Sequence, residues 1–262
     1  MRGRYPEAAQ EQARAMLAVL ERDHPGAAER LRPHPIIELA SWTDLRVLLV
    51  EEHSDGQGCS VSGSYHPELS PPTLLVGRSL SHRRRAFTAL HELGHHLQQN
   101  DVGLGERTFD AEDPVRFQEE ACDAFAAQVL LPDDQIRQRI GPAGPTARDV
   151  VDLYESSAAS REACCVWAAR HLTEAGAVVL HDAAGTVLFA APRGFVPPAR
   201  RSDQSDTPLV RAALRAKGPV EHHETFVRYR DGRTSSPLSG QAAWCGDDYV
   251  ITVLRSRVAS AA

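Results

Sequence analysis

The sequence predicts an α+β protein with two β-bearing parts and helices between them. Three observations carry this. Over 81–99 apolar residues fall at Ala86, Leu90, Leu93 and Leu97, steps of four, three and four that give a helix one buried face. Short β-type runs precede that helix, at Arg46-Val-Leu-Leu-Val-Glu51 and Thr73-Leu-Leu-Val76. After about 174 the texture is β-rich again, with Ala177-Val-Val-Leu-His181 and Thr186-Val-Leu-Phe-Ala190 flanking the turn Asp182-Ala-Ala-Gly185.

The remaining elements follow in chain order. Residues 6–23 form an amphipathic helix with Ala9, Ala13, Met16, Leu17 and Leu20 on one side, ended by the break at Pro25-Gly26. Pro35–Trp42 is a short helix, and a further strand is expected at 59–65 in a Gly/Ser-rich stretch. A polar, irregular loop is expected over 100–113. The second long helix runs from Pro114 to Leu131, with Cys122, Phe125, Ala126, Val129 and Leu130 inward, and Pro132 stops it. A short helix follows at 133–140, then the linker Gly141-Pro-Ala-Gly-Pro145. Two helices fill 146–172 around Ser156–Ser160, the first opened by a Thr146/Asp149 capping box. Thr207-Pro208 caps a helix that ends before Gly218, and strands are expected at 224–230, 241–245 and 249–255.

With 262 residues the chain is long enough to bury a sizeable core. No stretch has the roughly 18 apolar residues of a membrane helix, and the first residues lack the apolar core of a secretory signal, so the expected location is the cytoplasm. A formal net charge of −6 argues against nucleic-acid binding through bulk electrostatics. The five cysteines include no Cys-x-x-Cys pair, which points to reduced, buried thiols rather than a disulfide framework or a cysteine-built zinc site.

One motif carries chemistry. His91-Glu92-Leu93-Gly94-His95 fits H-E-x-x-H. Four residues of helix rise about 6 Å and return to nearly the same face, so both imidazoles can converge on one metal ion. Glu92 projects beside them, placed to take a proton from an attacking water without displacing a ligand. A catalytic zinc needs a third protein ligand and one open position. Glu119 and Glu120 both offer a carboxylate. Counted from the apolar face, Glu119 lies beside the inward Cys122 and Ala126 and is the choice, with Glu120 the more exposed competitor. Asp123, four residues on, would then hold a ligand histidine from behind. Such a set suits a Lewis-acid metal and implies peptide hydrolysis. Zn2+ is the expected ion, with Mn2+ the alternative in the cell. Tyr65 and His66 are candidates to stabilise the oxyanion, against a structural role for a Tyr-His-Pro loop. His96, rotated about 100° from His95, reads as a packing residue.

These residues resemble a known family. Arg85-Ala-Phe-Thr-Ala-Leu-His-Glu-Leu-Gly-His-His-Leu97 and Glu119-Glu-Ala-Cys-Asp-Ala-Phe-Ala-Ala-Gln-Val-Leu-Leu-Pro132 look like the core of the ImmA/IrrE metallopeptidases. In their second-helix pattern Glu119 takes the ligand place and Asp123 the Asn/Asp place. Cys122 stands where alanine is usual, and Leu131 where methionine is. The resemblance, convincing over about 35–140, implies a zincin-type peptidase domain over 1–141. IrrE-like members continue with a helix-turn-helix-like segment and a GAF-like domain. The same order here implies a helical connector over 142–173 and a small α+β domain over 174–262, GAF-like or PAS-like. The family implies cleavage of a partner protein, a helix-turn-helix transcriptional repressor, in a stress or mobile-element response, with an extended substrate adding to the edge of the sheet. The strand at 73–76 is the candidate edge. The alternative is a sensory or adaptor protein whose peptidase-like part does not hydrolyse. Balanced charge over the two helices of the connector makes direct DNA contact a poor expectation.

Overall fold

A computed structural model describes residues 6–51, 63–78, 81–137 and 140–256. The chain divides into two compact units, Met1–Asp133 with Ser157–Ala159, and Asp134–Ser156 with Ser160–Ala262. Both are mixed α and β. No helix among the described residues is long and apolar enough to cross a membrane.

The first unit begins with α1 (Glu7–Asp23), α2 (Ala27–Leu31) and α3 (Pro35–Ala40). Three strands follow: β1 (Arg46–Val50), β2 (Gly63–His66) and β3 (Thr73–Gly77). They form a sheet of order β1-β3-β2, with β1 parallel and β2 antiparallel to β3. The strand at 73–77 is therefore the central one, with its backbone groups taken on both sides. The expectation that it offers a free edge is overturned, and β1 and β2 are the outer strands. Of the strand expected at 59–65, residues 59–62 lie outside the described residues.

Helix α4 (His82–Asn100) starts at Ser81, whose hydroxyl accepts from the Arg84 N–H at 3.3 Å. Ala86, Leu90, Leu93 and Leu97 are all buried, as their spacing requires. The loop expected over 100–113 contains instead α5 (Val102–Phe109). Its two glycines hide it from propensity. Asp101 caps it by accepting from the Leu104 N–H at 3.1 Å, and Leu104 is buried. Helix α6 (Pro114–Leu130) opens on Asp113, which accepts from the Arg116 N–H, and buries Cys122, Phe125, Ala126, Val129 and Leu130. Gly94 lets α4 and α6 approach closely. A Cβ there would lie 2.9 Å from both Cys122 Sγ and Met16 Cε.

The second unit includes most of α7 (Asp133–Arg137), then α8 (Ala147–Ser156) and α9 (Arg161–Arg170). Thr146 and Asp149 cap α8 reciprocally, each side chain accepting from the other's N–H, at 3.1 and 2.8 Å. Strands β4 (Gly176–Asp182), β5 (Val187–Arg193), β6 (Val220–Thr225), β7 (Leu238–Trp244) and β8 (Tyr249–Ser256) form an antiparallel sheet of order β5-β4-β8-β7-β6. Helix α9 packs on β4 and β5, and α10 (Pro208–Ala216) on β6 and β7. Ala177, Val179, Leu209, Ala213, Val250 and Leu254 belong to the core between α10 and the sheet. The strand expected at 224–230 lies earlier, at 220–225. The amide of Gln204 accepts from the Arg228 N–H at 2.9 Å and donates to its carbonyl at 2.8 Å, so that stretch spends its backbone groups on a side chain. Thr207 does not cap α10. Its hydroxyl donates to the Gln204 carbonyl at 2.7 Å.

Candidate metal centre

The site is built by two helices and one strand of the first unit. His91 and His95 sit one turn apart on α4, and the α4–α6 crossing brings Glu119 over them. His91 Nε2 and His95 Nε2 are 3.2 Å apart. The Glu119 carboxylate lies 3.2 Å from His91 Nε2 and 3.4 Å from His95 Nε2. A tetrahedral zinc with bonds of about 2.0 Å sets its nitrogen and oxygen donors about 3.3 Å from one another. The two ring nitrogens and the two Glu119 oxygens, Oε2 toward His91 and Oε1 toward His95, thus stand at the spacings of such a site, and electron-rich atoms this close repel one another unless a cation or proton lies between them. The residues fit a metal ion.

Asp123 stands behind His91, its Oδ1 3.0 Å from Nδ1. A carboxylate only accepts, so the ring proton is on Nδ1 and the Nε2 lone pair is free to bind metal. The expected Glu119 and Asp123 positions therefore come together, but the exposure argument that chose Glu119 is corrected. Its side chain is 55% exposed, against 27% for Glu120. A ligand belongs on the open side of the site, where substrate must enter. Glu120 turns away to Arg116, at 2.9 Å.

Glu92 is buried beside the histidines. Burial pushes its carboxyl up to about 7; the charge of His91 opposes this and that of Glu119 adds to it. A cation at the histidines would favour the ionised form. For His91 burial works against the charged ring, but the Asp123 hydrogen bond and the surrounding carboxylates outweigh it and raise the pKa. His95 is lowered, by burial first and then by His91.

Strand β2 lies against this stripe of α4. A Cβ at Gly63 would be 2.7 Å from Glu92 Oε1 and 2.4 Å from Thr88 Cγ2, so only glycine lets the outer strand come up to the base. Two residues on, the Tyr65 phenol meets His96 Nδ1 at 3.0 Å and Asn100 Nδ2 at 3.2 Å. The structure thus places Tyr65 one to two turns along α4 from Glu92, and gives His96 a partner. His66 lies between Ser64 Oγ, at 3.0 Å, and Glu68 Oε1, at 2.7 Å. Nothing in the sequence singled out Gly63, since a glycine in a Gly/Ser-rich stretch reads as loop.

Two histidines one turn apart, a glutamate from the next helix and a glutamate between the histidines make up a candidate metal centre. Residues 48–164 match the model of Peptidase M78, the IrrE N-terminal-like domain. The radiation response metalloprotease IrrE of Deinococcus radiodurans is 29% identical over 101 residues, which are 37% of this chain and 30% of that protein. The chain thus matches less than a third of the length of that relative. A solved structure of a Mycobacterium tuberculosis transcriptional regulator aligns over 96% of this chain and 81% of its own, with 15% identity and a TM-score of 0.45.

Proposed function

We propose that this chain is a zinc-dependent endopeptidase of the cytoplasm that cleaves a partner protein, a helix-turn-helix transcriptional repressor, and so relieves repression in a stress or mobile-element response. The observation that carries the enzymatic part is the cluster of two ring nitrogens and the Glu119 carboxylate, with neighbouring contacts of 3.2–3.4 Å and Glu92 beside it. When bound, the metal acts as a Lewis acid on the scissile carbonyl and on water. Zn2+ suits two imidazoles and one carboxylate, and Mn2+ is the competing ion.

The chain's own groups do the rest. Asp123 fixes the His91 ring. Glu92 takes the proton of the attacking water and returns it to the leaving amine. Its burial favours this shuttle, because a carboxyl titrating near neutrality exchanges a proton in both directions. An extended segment of substrate adds to the outer strand β2 by main-chain hydrogen bonds, which holds its backbone against Glu92. This supports an endopeptidase, since recognition of backbone needs no chain end. The net charge of −6 suits a basic, DNA-binding substrate. For the second unit we infer a GAF-like or PAS-like sensor or interaction module, supported by its five-stranded antiparallel sheet with helices packed on it.

The test pairs the purified chain with repressors encoded near it, with and without added Zn2+ or Mn2+, and follows cleavage by mass spectrometry. Metal-dependent cutting by wild type and none by Glu92→Gln is expected. Equal binding of a repressor by both proteins with no cut in either would replace the protease with an adaptor.

A further inference from the structure

Cys122 carries more than packing. Its Sγ and one ring nitrogen each of His91 and His95 lie within 4.8 Å of one another. The thiol is fully buried. A free buried cysteine is ordinarily a small apolar filler that asks nothing of its neighbours. Here the Gln98 side chain donates to the sulfur at 3.1 Å. That amide is itself oriented. Its oxygen accepts from Thr108 Oγ1 at 2.9 Å and from Gln12 Nε2 at 3.3 Å, which turns the NH2 group toward the sulfur. Gln12 and Gln98 are 1% and 3% exposed, and Gln12 Oε1 has no hydrogen-bond partner among the described residues. Two buried amides, one of them incompletely satisfied, are costly in a core. What they secure is an N–H directed at a sulfur beside two metal-binding imidazoles, the arrangement that orients a thiolate ligand from behind.

We propose that Cys122 is a fourth protein donor to the metal held by His91, His95 and Glu119. Resting on the metallopeptidase reading above, this adds sulfur to its donor set. Zinc–sulfur and zinc–nitrogen bonds of about 2.3 and 2.0 Å place the two donors about 3.5 Å apart in a tetrahedral site, so from within 4.8 Å a shift of at most about 1 Å completes it. On coordination the S–H bond breaks, its proton passes to bulk water and the sulfur electron pair joins the cation. The position a carbonyl or water needs is then filled. The sulfur-bound form is latent, and hydrolysis requires the sulfur to withdraw toward Gln98.

The experiment loads the full chain with Co2+ and records its absorption spectrum and cobalt content. Wild type is expected to bind one cobalt and to show a sulfur-to-cobalt charge-transfer band in the near ultraviolet beside the visible ligand-field bands. Cys122→Ala and the size-conserving Cys122→Ser should lose the charge-transfer band, keep the ligand-field bands, and release cobalt to a chelator about ten- to a hundredfold more readily. Ligand-field bands without charge transfer in wild type would overturn the proposal and leave the metal centre standing. A charge-transfer band that survives in both variants would assign the sulfur to another cysteine and also overturn it. No cobalt uptake by any of the proteins would remove the metal centre together with its fourth donor.

Discussion

Both units bury histidine, and they make opposite use of it. In the first, His91 and His95 lose most of their water but face carboxylates: Asp123 behind His91, Glu119 across both, Glu92 between them. In the second, His181 is 2% exposed, and its Nε2 meets Thr252 Oγ1 at 3.1 Å in the sheet interior. Burial lowers the His181 pKa to about 4. The same desolvation acts on His91, yet there the acidic partners reverse it. The difference teaches that burial alone makes an imidazole inert. Burial with convergent carboxylates and one open side equips it to hold a metal.

The sharpest break of this comparison removes one donor. His91→Ala or Glu119→Ala should take metal content from about one ion per chain to near none, whereas Glu120→Ala should keep it, as metal analysis by mass spectrometry would show. Loss in Glu120→Ala alone would move the ligand by one residue. Glu92→Gln should retain the ion and lose hydrolysis by about a hundredfold or more.

The His181 side of the comparison predicts a pH dependence of stability. With a folded pKa of about 4 against 6.5 unfolded, the unfolded chain takes up the proton first as pH falls. Stability is full above about pH 6.5 and falls toward pH 4, by up to about 3 kcal/mol. In urea unfolding, the advantage of wild type over His181→Leu should shrink across that window. A constant difference between the two proteins would show that His181 folds without its proton penalty.

Smaller effects probe what stands beside the centre. Gly63→Ala forces a methyl into Thr88 and Glu92 and should cost about 1–3 kcal/mol while metal is retained. Tyr65→Phe removes bonds to His96 and Asn100 and should cost about 1 kcal/mol in stability. A loss of activity of about a hundredfold at unchanged stability would instead give the phenol the oxyanion role.

Much of the site was legible because helices write their geometry locally. The four-residue spacing of His91 and His95, and of Glu119 and Asp123, fixes which side chains share a face before any tertiary contact forms. The long helices at 82–100 and 114–130, the Thr146/Asp149 cap and the hairpin around Gly185 were legible on the same ground. The elements missed depend on partners far along the chain. Helix α5 carries two glycines and is tied down by Gln12, 92 residues before Leu104, whose carbonyl it bonds. Residues 226–230 are drawn out of the strand by Gln204. The central place of β3 is a matter of sheet order, which a strand's own residues do not encode.

The sequence by itself determined the candidate ligand types, their helical spacing and the candidate base between them, because each follows from the period of one helix. Tertiary structure decided which glutamate faces the histidines, which strands are outermost, and that a thiol lies beside the candidate metal donors. Those depend on how closely two helices cross at Gly94 and how a strand without a side chain at Gly63 approaches Glu92. Such distances are set by packing between segments remote in sequence, and packing has no period to read.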